Sequence, residues 1–361
     1  MQQRNIDSLQ ILRAFAAIFV IITHSGMTIP GYNIGDLGVI GVDLFFVLSG
    51  FLMTYTFKES RVGLSFLKSR VLRIYPIYLA ISAPMILVSF MKWDDSSKLS
   101  NLFHNITLIP ALHTSYDRSN YVNWTLMYEM YFYVFFAIAS FLFKKKIKSS
   151  LACSAIIVLL MFIVKTRFEI GYSGWFDTSA INILGNTIVL DFVVGSLWGC
   201  VYNKITFQTP KLMAYAMSTC IIAMSLFLIR HNMKGGIDYQ SSLFLNSSIP
   251  SFFVVFIISL THSGKSKIEK GLIYLGGASY SMYLSHLYIF LLANTEHASN
   301  LLKTVITKLH IENTYFLSIF LMLVAISAGI AAHELIEKPL NNKLMKKKKP
   351  ILINDDLSVK I

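Results

Sequence analysis

Ten apolar blocks divide the 361-residue chain, at residues 9–28, 37–57, 71–91, 124–143, 150–164, 181–202, 212–229, 243–261, 272–293 and 314–336. Most are near 20 residues long, the length a helix needs to cross a hydrocarbon core, and polar or charged residues separate them. The pattern predicts an all-α polytopic membrane bundle of about ten transmembrane helices. Between the third and fourth blocks, residues 92–123 contain LFHNITLIPAL, which is apolar yet too short to span. That segment is expected to lie in the interface or to re-enter the bilayer. Residues 1–343 read as one integral-membrane domain, and 344–361, with the run Lys346 to Lys349, as a short basic cytoplasmic tail that frays.

Charge placement supplies the orientation. With both termini cytoplasmic, 22 of the 32 Lys and Arg fall on the inner side and nine on the outer, with Arg13 inside the membrane. This is the positive-inside bias of a multi-pass protein, so the net charge of +13 reports topology and not a nucleic-acid partner. The composition agrees, at 55% hydrophobic and 14% charged residues. Cys153, Cys200 and Cys220 lie in apolar blocks without paired spacing, so no disulfide framework, zinc site or other metal is expected. The first block is full length and carries Arg13, which makes it a retained span and not a cleaved leader.

Arg13 and His24 stand out because ionisable groups inside a bilayer are costly and usually have a role. Eleven residues apart, they return to one helical face about 16 Å apart along the axis. Arg70 and Arg73 sit at the inner start of the third block, three apart and so neighbours on a helix. Counting from the outer end, Glu129 lies about 7 Å deep and His286 about 10 Å deep. The depths give an inner layer of arginines and an outer layer of His24, Glu129 and His286. A carboxylate beside an imidazole fixes its tautomer, the arrangement of a general base with its orienting partner. Guanidinium groups suit a phosphorylated ligand, since they stay charged and bind phosphate bidentately. Plainer readings stand beside these: Arg70 and Arg73 as topology anchors, Arg13 as a snorkelling side chain, and the histidines and Glu129 as satisfied bundle polar groups. Asp43 and Asp191, each just inside a block, read as helix-end or loop contacts, and His104, His113 and Asp117 are acceptor-side candidates by location alone.

Six stretches, taken in order, resemble membrane-bound acyltransferase family 3. Residues 13 to 24 match its R-x10-H motif, and GVDLFFVLSGFLM at 41–53 its second-span signature. RVLRIYPIY at 70–78 supplies an R-x-x-R pair, and NWTLMYEMYFY at 123–133 resembles W-S-L-x-x-E-x-x-F-Y with Thr125 for the usual Ser. GGASYSMYLSH at 276–286 and HELIEKPL at 333–340 resemble the late elements. The resemblance implies acyl transfer, usually of acetyl, from cytoplasmic acyl-coenzyme A to a hydroxyl of an extracytoplasmic glycan or lipid-linked sugar, at the bacterial inner membrane. His24 would be the general base with Glu129 orienting it, Arg13, Arg70 and Arg73 would hold acetyl-CoA, and Tyr280, Tyr283 and His286 would meet the substrate. Ser49 and Gly50 are expected to serve close helix contact, so Ser49 is not the nucleophile. Some members carry a fused SGNH-type domain; none is in this sequence, and a stand-alone member is the expectation. Against the enzyme stand a transporter or flippase for a lipid-linked sugar, and a structural subunit of a polysaccharide synthase; inverted repeats, which would favour transport, are not evident.

Overall fold

In a membrane the backbone has no water to bond, so each apolar segment satisfies its own amides by coiling. The computed structural model describes residues 7–25, 27, 35–112, 116–168, 179–234, 244–261, 266–295 and 314–346. Among these there is no strand, and each of the ten apolar blocks is helical. In chain order the helices are α1 (Asp7–His24), α2 (Gly35–Tyr55), α3 (Leu64–Lys92), α4 (Lys98–Thr107), α5 (Asn123–Phe143), α6 (Lys146–Arg167), α7 (Ala180–Gly185), α8 (Val189–Val201), α9 (Lys211–Lys234), α10 (Ile249–Ser259), α11 (Lys267–Ala293), α12 (Thr314–Ala332) and α13 (Lys338–Lys346). π-Helical turns at Phe244–Ser248 and His333–Glu337 precede α10 and join α12 to α13. Residues 347–361 of the basic tail, and His113, lie outside the described residues.

Among the described residues seven stretches are long and apolar enough to cross a membrane: α1, α2, α3, α5, α6, most of α9, and Tyr315–Leu344. The other three blocks are interrupted or diluted by polar residues. Block 181–202 breaks at Asn186 between α7 and α8, and block 243–261 gives the shorter apolar helix Leu245–Ser259. α11 carries Ser279, Tyr280, Ser281, Tyr283, Ser285 and His286. Several helices outrun their apolar blocks: α3 starts at Leu64, so that Arg70 and Arg73 sit about two turns inside it, α6 runs from Lys146 to Arg167, and α9 and α11 likewise extend into lysines. Apolar counting stops at the first basic residue, whereas a helix continues into the headgroup layer where lysine and arginine are at home.

α2 is the hub, packing most extensively on α8, while α1 packs between α2 and α11. The α2–α8 crossing depends on two glycines. A Cβ at Gly195 would stand 2.0 Å from the Val47 carbonyl oxygen, and one at Gly50 would stand 2.1 Å from that of Phe192. Gly50 therefore does serve close helix contact, as small residues do in membranes. A knot of hydroxyls lies on the same seam: Thr54 Oγ1 is 2.8 Å from Ser196 Oγ, which is 2.6 Å from Ser150 Oγ of α6. Asp43 and Asp191 are buried on this seam as well, 1% and 0% exposed and close enough for their charges to act on each other; Asp191 stands in the first turn of α8, the helix end the sequence expects, whereas Asp43 lies in mid-helix, two turns into α2. Ser247 donates to Asp43.

Connection 92–123 folds inward. α4 packs on α3, where the Tyr75 hydroxyl donates to the Thr107 carbonyl. Asn105 Oδ1 accepts from Ser119 N and Oγ at 2.9 and 2.8 Å, and Asn120 and Asn123 are fully buried beneath. The start of α5 is thus sunk below a lid of chain. α3 contains Pro84, and the Tyr288 hydroxyl of α11 enters its ladder there, donating to Ile81 O and accepting from Met85 N at 3.3 Å.

Candidate active site

Five helices and the second π-turn converge on a cavity of about 300 Å3. α1 contributes Gln10 and Arg13, α3 contributes Arg70 and Arg73, and α5 contributes Thr125, Glu129 and Tyr133. α2 adds Phe45, Ser49 and Met53, α11 adds Tyr280 and Tyr283, and the turn adds Glu337. The three arginines that the sequence places in one inner layer line this single space. Helical spacing explains the pair on α3, since residues three apart share a face.

Each charged group is anchored. Arg13 Nη1 donates to Gln10 Oε1 at 3.2 Å, and Arg73, Glu337 and Glu129 are the charges that act on it. Arg70 Nη2 donates to Thr56 Oγ1 at 3.3 Å, and its guanidinium carbon lies 5.2 and 5.5 Å from the ring centres of Phe66 and Tyr133. Such faces hold a cation without neutralising it. Arg73 is exposed and extends the positive wall outward. Glu129 accepts from the Tyr133 hydroxyl. Glu337 Oε2 accepts from Ser281 Oγ at 2.6 Å and lies 2.7 Å from His333 Nδ1. The carboxyls are thus committed to the wall, which leaves guanidinium edges to meet an anion.

His24 stands apart from this cavity. It is exposed at the end of α1, with Nδ1 2.9 Å from the Val20 carbonyl oxygen and 3.4 Å from His286 Nε2. Its recorded partners are therefore Val20 and His286, and Glu129 faces the arginines instead. The difference has a physical source. Counting 1.5 Å per residue from Trp124 gives height alone and not which side of α5 a residue faces, and Glu129 faces the arginine cavity.

Tyr280 and Tyr283 both line the cavity, with their hydroxyls turned to helix contacts. Tyr280 donates to Ile74 O at 3.2 Å; the Tyr283 hydroxyl is 2.9 Å from Thr125 Oγ1 and 3.3 Å from Val122 O. Tyr283 packs edge-on to Phe45 on the cavity side, and its ring centre is 6.0 Å from that of His286 beyond. It therefore separates the arginine cavity from the histidine pair. Glu337, Gln10 and Tyr133 were not singled out from the sequence. Glu337 had a signal in the closing E-x-P element, and Gln10 one in lying a turn before Arg13.

The profile of an acyltransferase domain family matches residues 6–333. A Staphylococcus aureus (strain COL) protein named as a candidate O-acetyltransferase is 25% identical over 341 residues, covering 79% of this chain and 50% of that protein. The O-acetyltransferase OatA of S. aureus (strain NCTC 8325 / PS 47) is 24% identical over 381 residues, covering 94% and 58% respectively. The exopolysaccharide production protein ExoZ of Rhizobium meliloti (strain 1021) is 26% identical over 272 residues, covering 70% and 76%. The chain thus spans about half the length of the Staphylococcus relatives it matches. No solved structure is a significant match. Because the profile takes in α1, α2, α3, α5 and α11, every full helix that lines the cavity, the chain belongs to the acyltransferase 3 family.

Proposed function

We propose that the protein is an integral-membrane O-acyltransferase of the bacterial inner membrane, moving an acyl group, acetyl by preference, from cytoplasmic acyl-coenzyme A to a hydroxyl of an extracytoplasmic glycan. One observation carries the reading: Arg13, Arg70 and Arg73 line one cavity in a member of an acyltransferase family. The donor fits this lining in kind. Guanidiniums pair with its phosphates, while Val42, Phe45, Leu48 and Met53 offer an apolar wall to its slender arm. The name of ExoZ supports a glycan acceptor and that of OatA the transfer of acetyl to oxygen, and O-antigen, capsule or exopolysaccharide, free or lipid-linked, are the substrates of choice.

His24 is the general base. Its imidazole takes the proton of the acceptor hydroxyl as that oxygen attacks the thioester carbonyl, forming a tetrahedral oxyanion. Collapse breaks the carbon–sulfur bond, the ester remains on the glycan, and the thiolate leaves to be protonated as free coenzyme A. Tyr283, one ring from His286 and lining the donor cavity, stands where the thioester must pass.

The test is mass spectrometry of surface polysaccharide from cells expressing the wild type or the double variant Arg70→Ala, Arg73→Ala at equal levels. An acetyl-sized increment that appears with the wild type and is lost in the variant supports the reading. An unchanged increment in the variant removes the arginines from donor binding. No increment in the native host, together with movement of a lipid-linked sugar across vesicles, replaces the enzyme with a transporter.

A further inference from the structure

A general base needs its ring fixed and one nitrogen bare, and among the described residues no carboxylate bonds to His24. The groups that do face it settle its hydrogens. Nδ1 lies 2.9 Å from the Val20 carbonyl oxygen, which can only accept, so in the neutral ring Nδ1 carries the hydrogen and Nε2 is bare. His286 obeys the same logic. Its Nδ1 is 3.3 Å from the Met282 carbonyl oxygen, so that nitrogen carries the hydrogen and Nε2 presents a lone pair. This lone pair is 3.4 Å from His24 Nδ1. One consistent chain results, in which His24 Nδ1–H donates to Val20 O and to His286 Nε2, and His286 Nδ1–H donates to Met282 O.

His286 is suited to holding this arrangement. It is fully buried, whereas His24 is exposed, and the rings of Tyr283 and Phe290 pack on it with centres 6.0 and 6.2 Å away. The two imidazole centres are 5.0 Å apart at 55°, so His286 also limits how far the His24 ring can turn. We infer that His286 is the positioning residue for His24, a neutral acceptor that holds the Nδ1–H tautomer and leaves Nε2 free to take the acceptor's proton. The catalytic part of this inference rests on the proposed function; the tautomer does not. Proton uptake at His24 Nε2 leaves Nδ1–H in place, bonded to two neutral acceptors, with no rearrangement of the pair.

The experiment pairs His286→Leu, which keeps bulk and removes the acceptor, with His286→Gln, whose amide oxygen can accept in its place. Nitrogen-15 spectra of histidine-labelled protein in detergent, with His24 assigned by loss of its signals in His24→Gln, read the tautomer directly. The wild type is expected to show the Nδ1–H form, His286→Leu a mixture, and His286→Gln the Nδ1–H form again. In the transfer assay His286→Leu should lose on the order of 100-fold in turnover, with donor KM unchanged and His286→Gln recovering part of the loss. An unaltered His24 tautomer in His286→Leu overturns the inference. So does full turnover in that variant. If the tautomer shifts as expected but the wild type transfers no acyl group, the positioning stands and the proposed function falls.

Discussion

The seam between α2 and α8 makes a quantitative prediction through Gly195→Ala. The added methyl would sit 2.0 Å from the Val47 carbonyl oxygen, a shortfall of about 1.4 Å against the 3.4 Å at which ordinary contact begins. The obstacle is backbone, so no rotamer change relieves it and the helices must part. Overpacking of this kind costs about 1–3 kcal/mol, from which alanine's better helix propensity returns up to about 1 kcal/mol. Gly271→Ala in α11 is the matched control, since a Cβ there meets nothing within 4 Å. It should be neutral or stabilising. The assay is the apparent melting temperature of each detergent-solubilised variant, followed by a dye that reacts with cysteine, because Cys153 is fully buried in the fold. Gly195→Ala is expected to melt several degrees below both the wild type and Gly271→Ala. Melting of Gly195→Ala at or above the control would refute the close crossing. Activity should fall as well, because Phe45, Ser49 and Met53 of α2 form one wall of the cavity.

Three further outcomes follow from the geometry. Glu129→Gln should alter donor affinity and leave the His24 tautomer unchanged, because Glu129 faces Arg13 and Tyr133 and not His24; a changed histidine spectrum would contradict that placement. Asp191→Asn, which removes a fully buried charge that acts on that of Asp43, should fold at least as well as the wild type, and a melting temperature several degrees lower would contradict that reading. Glu59, outside the membrane, accepts from the Lys146 backbone N–H and from Lys145, and these bonds hold its carboxyl below the usual range. A carboxyl so depressed adds stability above its ordinary range and loses it as pH falls through the lowered native value. The melting difference between wild type and Glu59→Gln should therefore be small but present at neutral pH and shrink as the pH falls below the ordinary carboxylate range; a difference that grows on acidification would reverse the assignment.

How far the chain could be read in advance depended on which physical variable was needed. Apolar length alone located helix in all ten blocks, because the bilayer forces it. The meeting of Arg13 with Arg70 and Arg73 was legible too, since depth and charge sorted them into one layer. Rotation about the helix axis was not legible. α2 is apolar on nearly every side, so periodicity does not say which side faces a neighbour, and the nearness of Asp43 to Asp191 stayed hidden. Depth alone did not place Glu129, because the side of α5 that it occupies turns it to the arginines. Glu337 was obscured by the π-turn, where a 3.6-residue count no longer predicts direction.

The layer formed by Tyr283, Thr125 and Phe45 gives the molecule an electrical property. With its hydroxyl tied across to α5, Tyr283 forms a dense partition between the basic cavity and the histidine pair. A charge carried across the whole membrane against a potential of 100 mV costs about 2.3 kcal/mol, and a dry aromatic partition gives it no water on the way. On the proposed function, the anionic end of the donor stays with the arginines and only the acyl end crosses. An acetyl group carries no charge and passes without electrical work, whereas a succinyl group would have to carry its carboxylate through the field.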